Sequence, residues 1–287
     1  MEFDFSDPKI IAGIIAAITS VLTIIIVKPF IDKRFHRFKL HEDFKSEQQR
    51  KIKEVLSHNK VHLLKSCETL NHRLWNLIHY QDGWPYLAKN YRTRHYYLDS
   101  FVYRIISVFA WIKIIEDDLI YFDTTISTKE DINMIKFFRL FQETFCELLV
   151  FKGKEYDSNY ATDHFFKAEF EKIAFELIEE KKVISFSEFQ KKMSTENKNI
   201  EQMHDYLNGI SKVEERLRWD RLQLFHLALI AFLNAYGYDF QQTTTDKIRK
   251  LKDFGGGYNL LNNYIELLKR GKLENQKELK KVIKYAT

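Results

Sequence analysis

The sequence predicts an all-α protein: an N-terminal single transmembrane helix, a long amphipathic stalk helix and a cytoplasmic helical bundle. Three observations carry that prediction. Apolar residues recur with a helical period nearly from end to end, no segment alternates apolar and polar residues as a strand would, and only 9 Gly and 3 Pro interrupt 287 residues. The 24 Phe and 15 Tyr supply enough large apolar surface for a true core, in one large domain or two small ones.

The first element is the run from Ile10 to Val27, uncharged and apolar but for Thr19, Ser20 and Thr23. As a helix its 18 residues rise roughly 27 Å, close to the ~30 Å hydrocarbon core of a bilayer. The three hydroxyls are tolerable there because they can bond to the helix's own backbone. A cleaved signal peptide would begin basic, carry a shorter apolar stretch and end in small residues. This stretch begins acidic (Glu2, Asp4, Asp7) and ends Ile24-Ile25-Ile26-Val27, so it reads as an uncleaved anchor. Gly13, Ala16, Ala17 and Ser20 share one face at helical spacing. Such a stripe lets two helices approach closely and is the expected packing face of a homo-oligomer.

Lys28, Lys33, Arg34, Arg37, Lys39 and Lys45 follow the run, and only Lys9 precedes it. Basic flanks stay on the cytoplasmic side, so the N-terminus is expected outside and the remainder inside the inner membrane. Phe30, Phe35 and Phe38 alternate with those cations. That composition suits the headgroup layer, where anionic lipid is the partner at about 1 kcal/mol per cation. Pro29 is placed to kink the exit. The expected domains are therefore 1–9 outside, 10–27 in the membrane, 28–41 at its surface and 42–287 in the cytoplasm, with a sub-boundary near 183–199.

Ile52, Leu56, Leu63, Cys67, Leu70, Leu74 and Leu77 keep a heptad-like rhythm and predict the stalk helix over 42–81. The rhythm fits a coiled coil and a wall of a bundle equally well. Asp82-Gly83-Trp84-Pro85 is a turn. A second helix is expected over 94–122. A third follows, opened by the capping box Ser127-Thr-Lys-Glu130 and running to about 150. A fourth covers 163–182. Ser185-Phe-Ser-Glu188 opens a short helix, and a fifth long helix runs from 200 to 236. Its second half is almost wholly apolar but too short to span a bilayer, the mark of a central core helix. Thr243 to Thr245 cap a helix to about 254, and Gly255-Gly256-Gly257 separates it from a last, basic pair.

Candidate sites follow from composition. Cys67 and Cys146 lie far apart without metal-type spacing and read as reduced thiols. His58 and His62 stand four apart on one helical face, but no Cys, Asp or H-E-x-x-H motif completes a zinc site. Glu116, Asp117, Asp118 and Asp123 crowd the C-terminal end of a helix, where the macrodipole disfavours anions. Lys113, Arg104, water or a divalent cation such as Mg²⁺ is expected to compensate. The spacing Asp117-Asp118-x4-Asp123 resembles the first aspartate-rich motif of isoprenyl diphosphate synthases, which are also all-α. The resemblance covers these seven residues, implies Mg²⁺-dependent diphosphate chemistry, and lacks that family's following arginine pair and second aspartate motif.

Two clusters interleave basic and aromatic residues, Asn90–Tyr97 with Arg92 and Arg94, and Arg216, Arg218, Trp219 and Arg221. Such surfaces bind anionic ligands or single-stranded nucleic acid, though they also knit bundles together. Asp253-Phe-Gly-Gly-Gly-Tyr258 lacks the P-loop Lys-Ser/Thr and reads as a hinge. The net charge of +5 sits largely beside the anchor and in the C-terminal tail, which favours a membrane surface over nucleic acid as partner. The function expected is non-enzymatic: an interaction or sensing module at the inner membrane face, with a protein partner and no cofactor, an architecture suited to defence or stress. The alternatives are a membrane-tethered Mg²⁺-dependent phosphate or diphosphate enzyme and a nucleic-acid-binding module.

Overall fold

The structure is a computed structural model, and it describes residues 8–80, 83–89, 95–193, 197–254 and 258–286. It is all-α apart from one two-stranded hairpin. The chain divides into two units, Met1–Lys51 and Ile52–Thr287.

The first unit holds α1 (Pro8–Leu22), a π-helical turn (Thr23–Val27) and the first residues of α2 (Lys28–His79). In the π turn the Lys28 N–H reaches back five residues to the Thr23 carbonyl. Pro29 lacks an N–H for the carbonyl four residues back, and its ring crowds that carbonyl. A locally widened helix just before it relieves the crowding. The three hydroxyls in the apolar run all turn inward: Thr19 Oγ1 donates to Ile15 O at 2.7 Å, Ser20 Oγ to Ala16 O and Thr23 Oγ1 to Thr19 O at 2.8 Å.

The second unit begins where α2 starts to bury side chains. Ile52, Leu56, Leu63, Cys67, Leu70, Leu74 and Leu77 are all buried, so this half of α2 is a wall of the core. It lies against α3 (Tyr96–Leu119), where His62 stacks on Trp111 at 4.7 Å and Arg73 donates to Ser100 Oγ at 2.9 Å. The centre is α8 (Arg218–Tyr236), buried on every side as its composition predicts, and packed by α4 (Lys129–Cys146) and α11 (Lys277–Ala286). Phe137, Phe141 and Phe145 of α4 meet Phe225 and Phe232 of α8 mostly edge to face, at 5.0–5.6 Å.

Four expectations are corrected. The helix expected over 163–182 is shorter, α5 (Lys167–Phe175), and gives way to β1 (Ile178–Glu179) and β2 (Lys182–Val183). Glu180 and Lys181 between them have φ of 48° and 59°, the left-handed pair that a two-residue hairpin turn demands. The helix expected over 200–236 is broken into α7 (Lys198–Leu207) and α8, because Asn208-Gly209 stops it with Gly209 at φ 67°. Third, α4 is capped one residue later than the box at Ser127 suggests: Thr128 Oγ1 accepts from the Asp131 N–H at 3.2 Å. Fourth, that helix ends at Cys146, before a 3₁₀ turn over Leu148–Phe151. The box Ser185–Glu188 does form, and opens α6 (Phe186–Met193).

Gly237 ends α8 because nothing larger fits. A Cβ there would stand 2.5 Å from the Leu233 carbonyl oxygen. Beyond it lie α9 (Thr245–Arg249) and α10 (Leu261–Arg270). Asn234 exchanges hydrogen bonds with both the N–H and the carbonyl of Thr243, fixing the return of the chain.

One buried polar contact joins α8 to α2. His226 Nε2 lies 2.9 Å from Asn71 Oδ1, with its ring edge-on to Trp75 at 5.0 Å. Burial, aided by nearby Lys247, holds its pKa down to about 3. The folded protein thus keeps this imidazole neutral, with Nε2–H donating. The unfolded chain takes up a proton near pH 6.5, so folding stability falls as pH drops from about 6.5 towards 3. The loss is up to about 1.4 kcal/mol per pH unit. Urea unfolding at successive pH values in neutral detergent should show this slope, and His226→Gln, which keeps a donor for Asn71, should lose one proton's share of it.

Candidate functional site

The apolar run and its exit present an open surface. Gly13, Ala16, Ala17 and Ser20 are exposed, and nothing lies within 4 Å of where a Gly13 Cβ would stand. Lys28, Phe30, Lys33, Arg34, Phe35, Arg37, Phe38 and Lys39 are exposed as well. The Arg34 guanidinium sits over the Phe30 ring at 5.1 Å, a cation and an aromatic sharing one patch.

The carboxylates at 116–123 do not converge. Asp117 pairs with Lys113 one turn back at 2.7 Å. Asp118 pairs at 2.8 Å with Lys181, which the left-handed hairpin turn carries to the end of α3. Asp123 turns to its own loop and accepts from the N–H and hydroxyl of Thr125, which lowers its pKa. Glu116 is exposed as a residue, but its carboxyl leans over a crevice lined by Phe109, Ile112 and Phe170. Loss of water there raises its pKa while Lys113 opposes the rise. Cations therefore meet the unfavourable helix end: Lys113, as the sequence suggests, and Lys181, which it does not. Arg104 is directed elsewhere, to the Ser100 carbonyl. Among the described residues no group of three His, Cys, Asp or Glu stands close enough to hold a metal ion.

The basic–aromatic clusters fare differently from each other. Arg92 and Arg94 lie outside the described residues. Arg216 serves the loop before α8, bonding the Thr162 carbonyl and lying 3.5 Å from Asp163. Arg218 is buried and grips Glu214 with two nitrogens while donating to the carbonyls of Asp205, Tyr206 and Asn208. Arg221 is fully buried, bonded to the carbonyls of Phe145 and Glu147, with its guanidinium 4.0 Å over Phe151. Burial brings its pKa down to about 10. Arg218 and Arg221 are thus internal fastenings and present no surface to an anionic ligand.

The side chains of the His204-Asp205 dipeptide diverge. His204 is buried, with Nε2 2.9 Å from Asp99 Oδ1 and Nδ1 3.3 Å from the Ile200 carbonyl. Asp205 points to Lys89, which also approaches Glu201 at 3.9 Å. A cavity of about 260 Å³ lies among these groups. Both imidazole nitrogens are turned to groups of the protein itself, Asp99 and the Ile200 carbonyl. No signal in the sequence joins Asp99 to His204, which the packing of α3 on α7 brings together across 105 positions.

No protein-family model, no curated protein and no solved structure matches the chain. What the fold and the exposed run define is a class: an all-α protein with one N-terminal helix long and apolar enough to cross a membrane.

Asp117→Asn with Asp118→Asn removes two surface ion pairs, a kind that contributes little to stability. The thermal midpoint should stay where it is, and added Mg²⁺ should shift neither protein. A Mg²⁺-induced rise in the wild type that the double variant lacks would restore the metal-enzyme reading.

Proposed function

We propose that this chain is a single-pass membrane protein whose cytoplasmic helical bundle is an interaction or sensing module at the inner membrane face. The observation that carries the reading is the anchor itself. None of its apolar window is covered by protein, and each of its hydroxyls is tied to its own helix. A helix whose hydroxyls are all bonded to its own carbonyls is what hydrocarbon accepts. The basic, Phe-rich exit supports an inner-face orientation with anionic headgroups as partner, and the Gly13–Ser20 stripe supports self-association. A protein partner, in defence or stress signalling, is the occupant that suits such a tethered module.

An alkaline wash of isolated membranes tests the anchor. The wild type should remain in the pellet until detergent is added. Ile15→Asp with Ile18→Asp should move the protein to the supernatant, since each charge at the centre of a span costs about 3 kcal/mol. A C-terminal reporter should resist protease added to intact cells. Release of the wild type without detergent, or digestion of the reporter, would end the proposal.

A further inference from the structure

We propose that the cleft between α4 and the end of α10 binds a phosphate group carried as a monoester or diphosphate. This goes beyond the membrane reading and stands without it. The cleft holds about 200 Å³ and is lined by Lys136, Arg139, Leu140, Glu143, Arg270 and Lys272, among others. Four of those are cations, drawn from two elements far apart in sequence.

The device that organises them is Glu143. Its residue is 7% exposed, and a carboxylate so buried needs partners. Arg139 of the same helix donates its Nε to Glu143 Oε1 at 2.6 Å. From the facing wall Arg270 Nη2 lies 3.7 Å from the same oxygen and 2.8 Å from Glu147 Oε2. Glu143 thus holds the guanidinium on one side of the cleft and, with Glu147 as the nearer partner, helps to hold the one on the other. Neither is exhausted by this. Arg139 keeps both Nη groups, and Arg270 keeps Nη1 and Nε, without a bond among the described residues. Lys136 Nζ gives one proton to the Lys272 carbonyl at 3.2 Å and keeps two, and the Lys272 ammonium makes no bond among the described residues.

The carbonyls that end α10, ordinarily a negative pole, are already taken. Gly271, Lys272 and Leu273 donate to Leu267, Lys269 and Leu268 at 2.9–3.0 Å. Against its four cations stand the carboxylates of Glu143 and Glu147, which leaves the cleft an excess of positive charge and of charged donors. Pre-set guanidiniums with free N–H forks beside ammonium groups are the chemistry that recognises phosphate oxygens. The volume is below the ~300–1,000 Å³ of pockets that bury a whole drug-sized ligand. The cleft takes the phosphoryl end and leaves the rest of the molecule outside.

Full-length protein in neutral detergent should bind inorganic pyrophosphate by titration calorimetry, less tightly as salt rises. Lys136→Ala with Lys272→Ala leaves the buried carboxylate and both arginines in place. It should keep the thermal midpoint and weaken binding roughly tenfold or more. Lys280→Ala with Lys281→Ala on α11 removes the same charge and should leave binding intact. Absence of pyrophosphate binding at low salt, or equal weakening by the two double variants, overturns the proposal. Repeating the titration in phosphatidylcholine nanodiscs, with and without phosphatidic acid, separates the sources. Pyrophosphate binding lost only with phosphatidic acid means a lipid headgroup fills the cleft, and unchanged binding means a soluble phosphate does.

Discussion

An apolar helix that its own chain leaves bare must be covered by something else. Ile11, Ile14, Ile15, Ile18, Val21, Leu22, Ile24, Ile25 and Ile26 are all 44% exposed or more. Fully burying such a side chain is worth about 1.5–3 kcal/mol, and because the helix itself already hides about half of each, these nine together are on the order of 7–15 kcal/mol. That is comparable with the whole folding stability of most domains. Such a surface is costly to leave against water. The three hydroxyls of the same stretch do not ask for water, since each is closed upon the helix's own carbonyls. An apolar surround suits such a helix, which is why the proposed function puts it in a bilayer.

In the second unit the governing problem is the reverse, how to keep charge inside an apolar core. α8 brings Arg218 and Arg221 into the interior one turn apart. A bare guanidinium there would be prohibitive, and the loops deliver main-chain carbonyls to both, with the Glu214 carboxylate added for Arg218. Those loops are the ones that break the expected long helices: Asn208 offers its carbonyl because Gly209 turns the chain, and Glu147 because α4 stops at Cys146. The irregular backbone and the buried cations are mutual solutions, which also explains why a basic–aromatic string in the sequence ends up as a fastening.

What was legible in the sequence is what depends on local period. α3 and the burial of α8 follow from spacing and composition, and so does the wall formed by Ile52–Leu77. The capping box at Ser185 is local chemistry and forms where the sequence puts it. The hairpin at Ile178–Val183 was hidden because two-residue strands leave no alternation to detect, and Glu180-Lys181 is not a usual left-handed pair. The break at Asn208-Gly209 was legible in principle from the dipeptide, but the apolar period on both sides masked it. Contacts such as Asp99 with His204 or Lys181 with Asp118 come from packing alone, which no spacing rule encodes.

Tethering changes how strong a cytoplasmic interaction must be. A soluble module needs tight binding to find its ligand, whereas an anchored one meets partners in its own membrane at effective concentrations that reach about the millimolar range. Weak, charge-dominated recognition then suffices. The cleft around Glu143 has that character, because its four cations make directional but solvent-screened contacts and its volume admits only a small anionic head. Under the proposed function, the cations that follow the apolar run attract anionic lipid without geometry. Glu143 and Glu147, by fixing two guanidiniums, add the geometry a general cationic surface lacks. On that reading a chain with both elements distinguishes one anion among many and leaves residence at the membrane to the anchor.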